Sequence, residues 1–428
     1  MTFATKDSVK RPHYAWFIMI CCLVVMVADV GIIANTVGVF MQPVSAALGI
    51  SYSEFALNMS IMVIILALAM PLAQKALMAK NIRLYITGAI TLECLAFGLQ
   101  SIYTSIIGWY FSSALIGFSQ SLLSFILVPH MIHTWFASNQ GTAMGLAFCG
   151  TTIGGALFQP IAGFMITEVG YQVTYLLLAG IAWILSVPLV LLIIRDTPAD
   201  KNLARYGESE IVAGEMAVTP QSNDIDFKKA LRSPNFYLTI LFVVALIIPI
   251  NFSNQFTAFA FSLGFPLSLS ALMSAAVMVS GVISDPITGF LNDRVSPRFG
   301  ISISIIAGIV GLILLVVTPF GAVGIFIAAF CFGLDLGLAN MAPPLLTRKV
   351  FGIKDFNRIY SIVAITIPLT GAVMSLVYSG IYDSTGSYIG GLILALGVDF
   401  LALFLCWYLL RKKKTTRKAD ASIEQLHR

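Results

Sequence analysis

The sequence predicts an all-α membrane protein with twelve transmembrane helices in two repeated six-helix halves. Hydrophobic residues make up 58% of the 428-residue chain and charged residues only 11%. This composition lies outside that of soluble globular domains. Twelve apolar runs follow one another, each long enough to cross the roughly 30 Å hydrocarbon layer as a helix. An internal repeat then relates the first six runs to the last six.

The twelve apolar runs are well separated along the chain. The first run is too long for a signal-peptide core and no cleavage site follows it, so we expect a retained span. All six cysteines fall within the runs, where they act as small hydrophobic residues and not as a disulfide framework. The predicted spans lie near residues 14–41, 53–76, 82–103, 106–134, 141–167, 172–194, 235–262, 268–291, 299–318, 321–347, 357–382 and 387–410.

Sliding the sequence against itself by about 215 residues reveals the repeat. Leu48 falls on Leu263, Pro71 on Pro286 and Arg83 on Arg298. The two halves are therefore predicted to run in parallel, which is an arrangement of secondary transporters whose substrate site lies between the halves. The predicted division is an N-terminal half over 1–195, a cytoplasmic linker over 196–234, a C-terminal half over 235–410 and a basic cytoplasmic tail over 411–428.

The positive charges determine the predicted topology. With the N-terminus in the cytoplasm, all 25 Lys and Arg fall in the terminal tails or in the loops that follow even-numbered spans. The positive-inside rule then predicts a multi-pass protein of the plasma (cytoplasmic) membrane, with both termini cytoplasmic. The opposite loops carry only Glu54, Glu168 and Asp383. The basic tail is interpreted as an anchor on anionic lipid, so the net charge of +5 does not indicate a nucleic-acid partner.

The turn after the eighth run carries a recognisable motif. Gly289, Asp293, Arg294 and Arg298 are spaced as in the G-x-x-x-D-R-x-x-x-R loop of the major facilitator superfamily, which the chain resembles here. This resemblance implies the major facilitator fold, with these four residues as a cytoplasmic latch between neighbouring helices. The equivalent turn of the first half keeps Arg83 but lacks the glycine and the aspartate.

A second resemblance covers most of the first half and spans 8 and 9. The stretches at 35–51, 133–160 and 195–207 are similar to the monocarboxylate and oxalate/formate porter branch. The resemblance implies a monocarboxylate that moves with a proton. However, many members of that branch carry an arginine directly before the proline of span 8, where this chain has Asp285. The charge at that position is therefore reversed.

Acidic side chains inside the spans are the proton-coupling candidates. A carboxylate at bilayer depth costs about 2.5 to 3.5 kcal/mol even on insertion scales, so such residues indicate function. The alternative is an acid that bonds a neighbouring helix and serves only structure. Glu93 and Asp399 lie on the more peripheral spans 3 and 12, where supporting or pairing roles are expected. The candidates are Asp285, Asp29, Asp335 and the span 4 histidine His130.

A compact polar face on span 7 supplies the substrate-binding candidates. Asn251, Asn254 and Gln255 have i, i+3, i+4 spacing, and Thr36 joins them from span 1. The same amides are equally suited to tying helices together. His130 and His133 lie one turn apart, but no further ligand has a matching spacing, so neither a metal nor another cofactor is expected.

These observations predict a secondary active transporter that works as a monomer in the bilayer. No nucleotide-binding motif is present, so an ion gradient is the expected energy source, with protons as the coupling ion. An acid-rich cavity without Lys or Arg favours a cationic, zwitterionic or co-protonated small organic solute. The alternative, from the resembled branch, is a monocarboxylate or organic-anion symporter or exchanger. A transporter-like sensor is disfavoured by the short loops, and an enzyme by the lack of a nucleophile–base pair.

Overall fold

The computed structural model describes residues 13–77, 81–123, 127–208, 226–294, 297–317, 321–352 and 355–410. These residues form helices, and no β-strand occurs among them. Ten stretches are long and apolar enough to span a membrane. One of them contains two spans, joined at Gly170, and a further span is made of two shorter helices. The twelve predicted spans are therefore confirmed.

We refer to the first six spans as the N-half and to the last six as the C-half. Spans 5 and 6 of the N-half follow each other within Gln140–Ile193, where Gly170 adopts φ 81° and ψ 163° and separates them. The other spans of this half are Tyr14–Met26, Val27–Ala34 and Asn35–Leu48 (span 1), Tyr52–Leu77 (span 2), Ile82–Leu99 (span 3), and Ile106–Leu123 with Leu127–Trp135 (span 4).

The C-half has the same order of six spans. Its helices are Pro234–Ile250, Asn251–Gln255 and Phe256–Ser262 (span 7), Leu267–Arg294 (span 8), Pro297–Val317 (span 9), Gly321–Gly333 and Leu338–Phe351 (span 10), Phe356–Thr385 (span 11) and Ile389–Leu409 (span 12). Between the halves, the described residues form the short helices Pro198–Lys201 and Phe227–Leu231. The predicted tail over 411–428 and linker residues 209–225 lie outside the described residues.

Turn chemistry explains where spans 1 and 2 meet. Gly49 ends span 1 with φ 66°, a left-handed conformation that glycine adopts without a steric penalty. Ser51 and Glu54 then exchange hydrogen bonds between side chain and backbone, which is the capping box that starts a helix. Gly264, the repeat partner of Gly49, also has positive φ, at 91°. The repeated sequence therefore repeats a backbone conformation.

Large aromatic side chains fill the interior of each half. In the N-half, Phe40 of span 1 stacks on Tyr175 of span 6, with ring centroids 3.9 Å apart. In the C-half, Phe252 of span 7 packs edge-on against Tyr378 of span 11 at 5.3 Å. Apolar residues such as Leu68 remain mostly exposed, at 69%. An apolar outer surface around an aromatic and aliphatic interior is what a bilayer requires.

Candidate functional site

Three spans are irregular near the middle of their length. Span 1 widens into a π-helical segment at Val27–Ala34, and span 7 tightens into a 3-10 segment at Asn251–Gln255, directly after Pro249. Span 10 is interrupted at residues 334–337. Span 8, by contrast, continues as one helix through Pro286. In transporters, broken helices release backbone groups for binding near the bilayer midplane.

The glycines of span 5 accommodate the irregular part of span 1. A Cβ atom on Gly31 would lie 2.6 Å from the Cα of Gly154, and one on Gly150 would lie 2.3 Å from the carbonyl oxygen of Leu23. Only glycine permits so close an approach of two backbones. The span 5 glycines therefore serve helix packing within the N-half.

The two ends of the bundle differ in charge, and the halves meet near one of them. We call the end with Glu54, Glu168 and Asp383 the acidic face, and the end with Arg83 and Arg298 the basic face. At the acidic face, the Asp383 carboxylate of span 11 accepts hydrogen bonds from the N–H groups of Tyr52 and Ser53, at 3.1 and 2.7 Å. The C-half thus caps the first turn of span 2 in the N-half.

Further contacts between the halves lie deeper along the same spans. Ser60 of span 2 donates a hydrogen bond of 2.6 Å to the carbonyl of Ala372 in span 11. Span 1 crosses span 7 where a Cβ on Gly38 would lie only 2.3 Å from the carbonyl oxygen of Asn254. Spans 5 and 8 also meet, at Gly163 and Ala271. The structure is therefore closed at the acidic face.

Replacing Asp383 with alanine is expected to loosen this closure. Loss of a helix cap costs about 1 kcal/mol, so the closed population should fall roughly fivefold relative to the open one. Spin labels on cysteines at positions 168 and 384, in a background without the native cysteines, measure the separation across the acidic face. Thr385→Ala is the matched control, because that hydroxyl bonds only within its own loop. An unchanged distance distribution in Asp383→Ala would contradict the capping role.

The predicted amide face of span 7 lies at this junction. Asn251 and Asn254 are partly exposed, and the Nδ2 of Asn254 lies 3.5 Å from the Oδ1 of Asn251. Gln255 is buried and donates at 3.4 Å to the carbonyl of Ser375, while its Oε1 has no hydrogen-bond partner in the described structure. Asn251 also donates to the carbonyl of Ile247 in its own span, at 3.1 Å, so Asn254 is the amide most open to a solute, whereas Gln255 is tied to span 11.

Span 1 contributes an amide near this crossing that sequence patterns did not single out. Asn35 donates from Nδ2 to the carbonyl of Thr151, at 2.9 Å, and its own carbonyl accepts from Gln159. Asn35 lies one turn from Gly38, at which span 1 crosses span 7. The buried hydroxyl of Thr36 bonds back to Ile32 within the same helix, at 2.6 Å. Asn35 is thus better placed at the junction than Thr36.

The remaining predicted proton carriers occupy different surroundings. His130 is exposed, as is His133, and the carbonyl of His133 accepts from Arg205 of the linker. The backbone at Asp285 is helical, but its side chain lies outside the described part of the structure, as do those of Gly289, Asp293 and Arg294. Among the described residues, no three His, Cys, Asp or Glu side chains cluster as metal ligands.

Asp29 lies inside the N-half and not at the junction between the halves. It occupies the π-helical segment of span 1, with only 1% of its surface exposed. The Glu93 carboxyl group of span 3 is equally buried and lies within hydrogen-bonding reach of Asp29, and the Gln120 amide of span 4 lies close by. Two carboxyl groups can share a hydrogen bond only if one of them is protonated. The two carboxyl groups are therefore suited to binding one shared proton.

Asp335 lies inside the C-half, in the interruption of span 10. It is fully buried, and its side chain packs over Gly308 of span 9, where an added Cβ would lie 3.2 Å from the Asp335 carboxyl carbon. Asp399 of span 12 is also fully buried, in the neighbourhood of Asp335. In the described structure none of the four carboxyl oxygens has a hydrogen-bond partner.

Comparison with known proteins now gives the family. The family model described as "Major Facilitator Superfamily" matches residues 19–351. The chain belongs to this superfamily. A comparison with curated proteins gave no match.

Solved structures of transporters have a similar fold. The nucleoside transporter NupG, solved as a mutant, is 13% identical with a TM-score of 0.70, over 92% of this chain and 100% of that one. A bacterial homologue of the human lysosomal transporter Spinster, in an inward-facing and occupied conformation, is 14% identical with a TM-score of 0.70, over 94% of this chain and 98% of that one. At these identities the likeness concerns the fold alone.

The superfamily loop motif can be placed in part on this structure. The Arg298 guanidinium lies 3.7 Å above the ring of Trp407, so it joins the start of span 9 to the end of span 12. Its repeat partner Arg83 donates from Nε to the carbonyl of Ile194, at 2.6 Å, and joins span 3 to span 6. The two terminal arginines of the motif therefore make equivalent links. The predicted latch through Asp293 and Arg294 stays a prediction.

Proposed function

We propose that this superfamily member is a gradient-driven carrier of a small organic solute that binds between the halves without a net negative charge. The observation that carries the proposal is the crossing of spans 1 and 7, where the half-buried amides of Asn251 and Asn254 lie next to the contact between the two halves at Gly38. In the described residues, Lys and Arg occur only at span ends and in connecting segments. An isolated anion would have no charged partner there, and burying it would be costly.

Protons are the proposed coupling ion, because acids are the titratable groups that the sequence places at depth. The candidates remain Asp285, Asp29, Asp335 and His130. In this scheme the basic face is cytoplasmic, the chain works as a monomer in the plasma (cytoplasmic) membrane, and alternating access requires the acidic-face contacts to open and close. The short loops leave little room for the output domain of a sensor.

Three solute classes fit these conditions. A cationic or zwitterionic solute is favoured by the acid-rich interior, and a monocarboxylate that moves together with its proton is favoured by the resembled branch. Amides also suit an uncharged polar solute, and NupG is named as a nucleoside transporter. The amide junction accommodates each of these by hydrogen bonds, whereas a bare dianion fits poorly.

Flux into vesicles tests the function and separates the solute classes. The purified protein is reconstituted around a pH-sensitive dye, and small amines, betaines, nucleosides and monocarboxylates are added in turn. We expect one class to drive proton movement. An interior-negative potential should accelerate proton symport of a cation but not the electroneutral entry of a monocarboxylate with one proton. If no solute in the panel produced gradient-dependent flux, the proposed function would be wrong.

A further inference from the structure

Each half contains two buried acids with the same separation in sequence. Glu93 follows Asp29 by 64 residues, and Asp399 follows Asp335 by the same 64 residues. Each pair joins the first and third helices of a three-span unit, spans 1 and 3 or spans 10 and 12. In each pair the first acid lies where its helix is irregular, in the π-helical segment of span 1 or in the interruption of span 10.

The two pairs differ in their hydrogen bonding. Glu93 and Asp29 lie within hydrogen-bonding reach of each other, so one shared proton can bridge the N-half pair, and the Gln120 amide lies close by. The C-half pair has no such neighbour in the described structure, and both acids are fully buried with unpartnered oxygens. Two bare carboxylates at this depth would repel each other without compensation. The C-half pair therefore requires a bound positive species.

Protons fit the C-half pair better than a metal cation does. An alkali cation would need ligands besides the carboxylate oxygens, and the carbonyls of the span 10 interruption already accept hydrogen bonds. Those of Phe332 and Gly333 accept from the backbone, and that of Leu334 accepts from Ser284. Two protons convert the pair to neutral acids without further ligands.

The other titratable groups near the pair are few in the described structure. Tyr378 of span 11 faces Asp399 and donates its hydroxyl proton to the carbonyl of Ile248, at 2.8 Å. Cys406 lies two turns further along span 12, near Arg298 of span 9. Neither acid of the pair has an ion-pair partner among the described residues.

We infer that Asp335 and Asp399 form a two-carboxyl proton-binding site within the C-half, separate from the solute junction, and that both carboxyl groups are protonated when the acidic face is closed. The protonation of the two acids does not depend on the proposed function, whereas their role in coupling protons to transport rests on it. Asp399, which lies on a peripheral span, becomes a proton-binding residue. Ser284 links the interruption that holds Asp335 to span 8, one residue before Asp285.

Infrared spectroscopy of the purified protein tests the site without solute or gradient. A protonated carboxyl group gives a C=O stretch that a carboxylate lacks. At neutral pH we expect this band in the wild type and a weaker band in Asp335→Asn and in Asp399→Asn. In the double variant, the whole contribution of these two acids to the band should be lost. Asp399→Glu should keep it. Glu168→Gln, an exposed acid at the acidic face, should leave the band unchanged.

Transport and cation binding provide the remaining outcomes. Proton-driven uptake should fall at least about tenfold in Asp399→Asn, with solute binding retained. The double asparagine variant mimics the neutral pair, so it should fold and melt as one species. An unchanged band in that variant, or a band that sodium ions abolish, would overturn the inference. If the wild type shows proton-coupled flux but the band is unchanged in the double variant, only the inference is wrong. If the band behaves as expected but no solute produces flux, only the proposed transport is wrong.

Discussion

Replacing Gly38 with valine is expected to abolish transport while both halves stay folded. Span 1 crosses span 7 at this glycine, and the Cβ of any other residue would lie 2.3 Å from a backbone oxygen, which cannot rotate away. Overpacking of this kind costs about 3 kcal/mol, and the population closed at the acidic face should fall roughly hundredfold. Each half keeps its own contacts, because the clash lies between them.

A matched glycine serves as the control. A Cβ on Gly145 of span 5 would meet nothing within 4 Å, so Gly145→Val adds the same side chain without a clash. Thermal melting and size-exclusion profiles of both variants should resemble those of the wild type, and uptake into vesicles should be lost only in Gly38→Val. Equal uptake by the two variants would show that the crossing at Gly38 is not required for closure.

Replacing Asp285 with asparagine is expected to abolish proton-driven accumulation without unfolding the protein. The two side chains are nearly isosteric, and asparagine cannot exchange a proton. One proton moving through 100 mV supplies about 2.3 kcal/mol, which sustains a roughly fiftyfold solute gradient. In Asp285→Asn the accumulation ratio should fall to one, because the solute then moves only down its own gradient.

Exchange measurements separate lost coupling from lost binding. Vesicles loaded with unlabelled solute should still exchange it for labelled solute in Asp285→Asn. Glu168→Gln makes the same change of charge at an exposed position and should accumulate solute as the wild type does. Uphill transport by Asp285→Asn at the level of this control would rule out Asp285 as the coupling acid.

The carboxyl pairs show where sequence reasoning reached its limit. The sequence predicts supporting or pairing roles for Glu93 and Asp399 and proton coupling for Asp29 and Asp335, but it does not indicate which of these acids lie together. The equal spacing of 64 residues within the two pairs was available in the sequence as a signal. It carries no meaning until the fold shows that spans 1 and 3, and spans 10 and 12, bring these acids together.

The amide junction shows the same limit at closer range. The i, i+3, i+4 pattern on span 7 predicts a polar face, but it does not distinguish Asn251 and Asn254, which are partly exposed, from Gln255, which bonds span 11. Thr36 and Asn35 are neighbours in sequence, yet the hydroxyl of Thr36 bonds its own helix whereas Asn35 bonds span 5. Such choices depend on which helix packs on which face.

By itself, the sequence determined the membrane class, the twelve spans and the repeat. These properties follow from the cost of placing charge in hydrocarbon and from the length of helix that crosses it. Only the tertiary structure decided that spans 1, 7 and 10 are irregular, that the halves close at the acidic face, and that four buried acids form two pairs. The hydropathy of the sequence shows which segments lie in the membrane. Which neighbours a side chain meets depends on how the helices pack, through close backbone contacts such as that of Gly31 with Gly154.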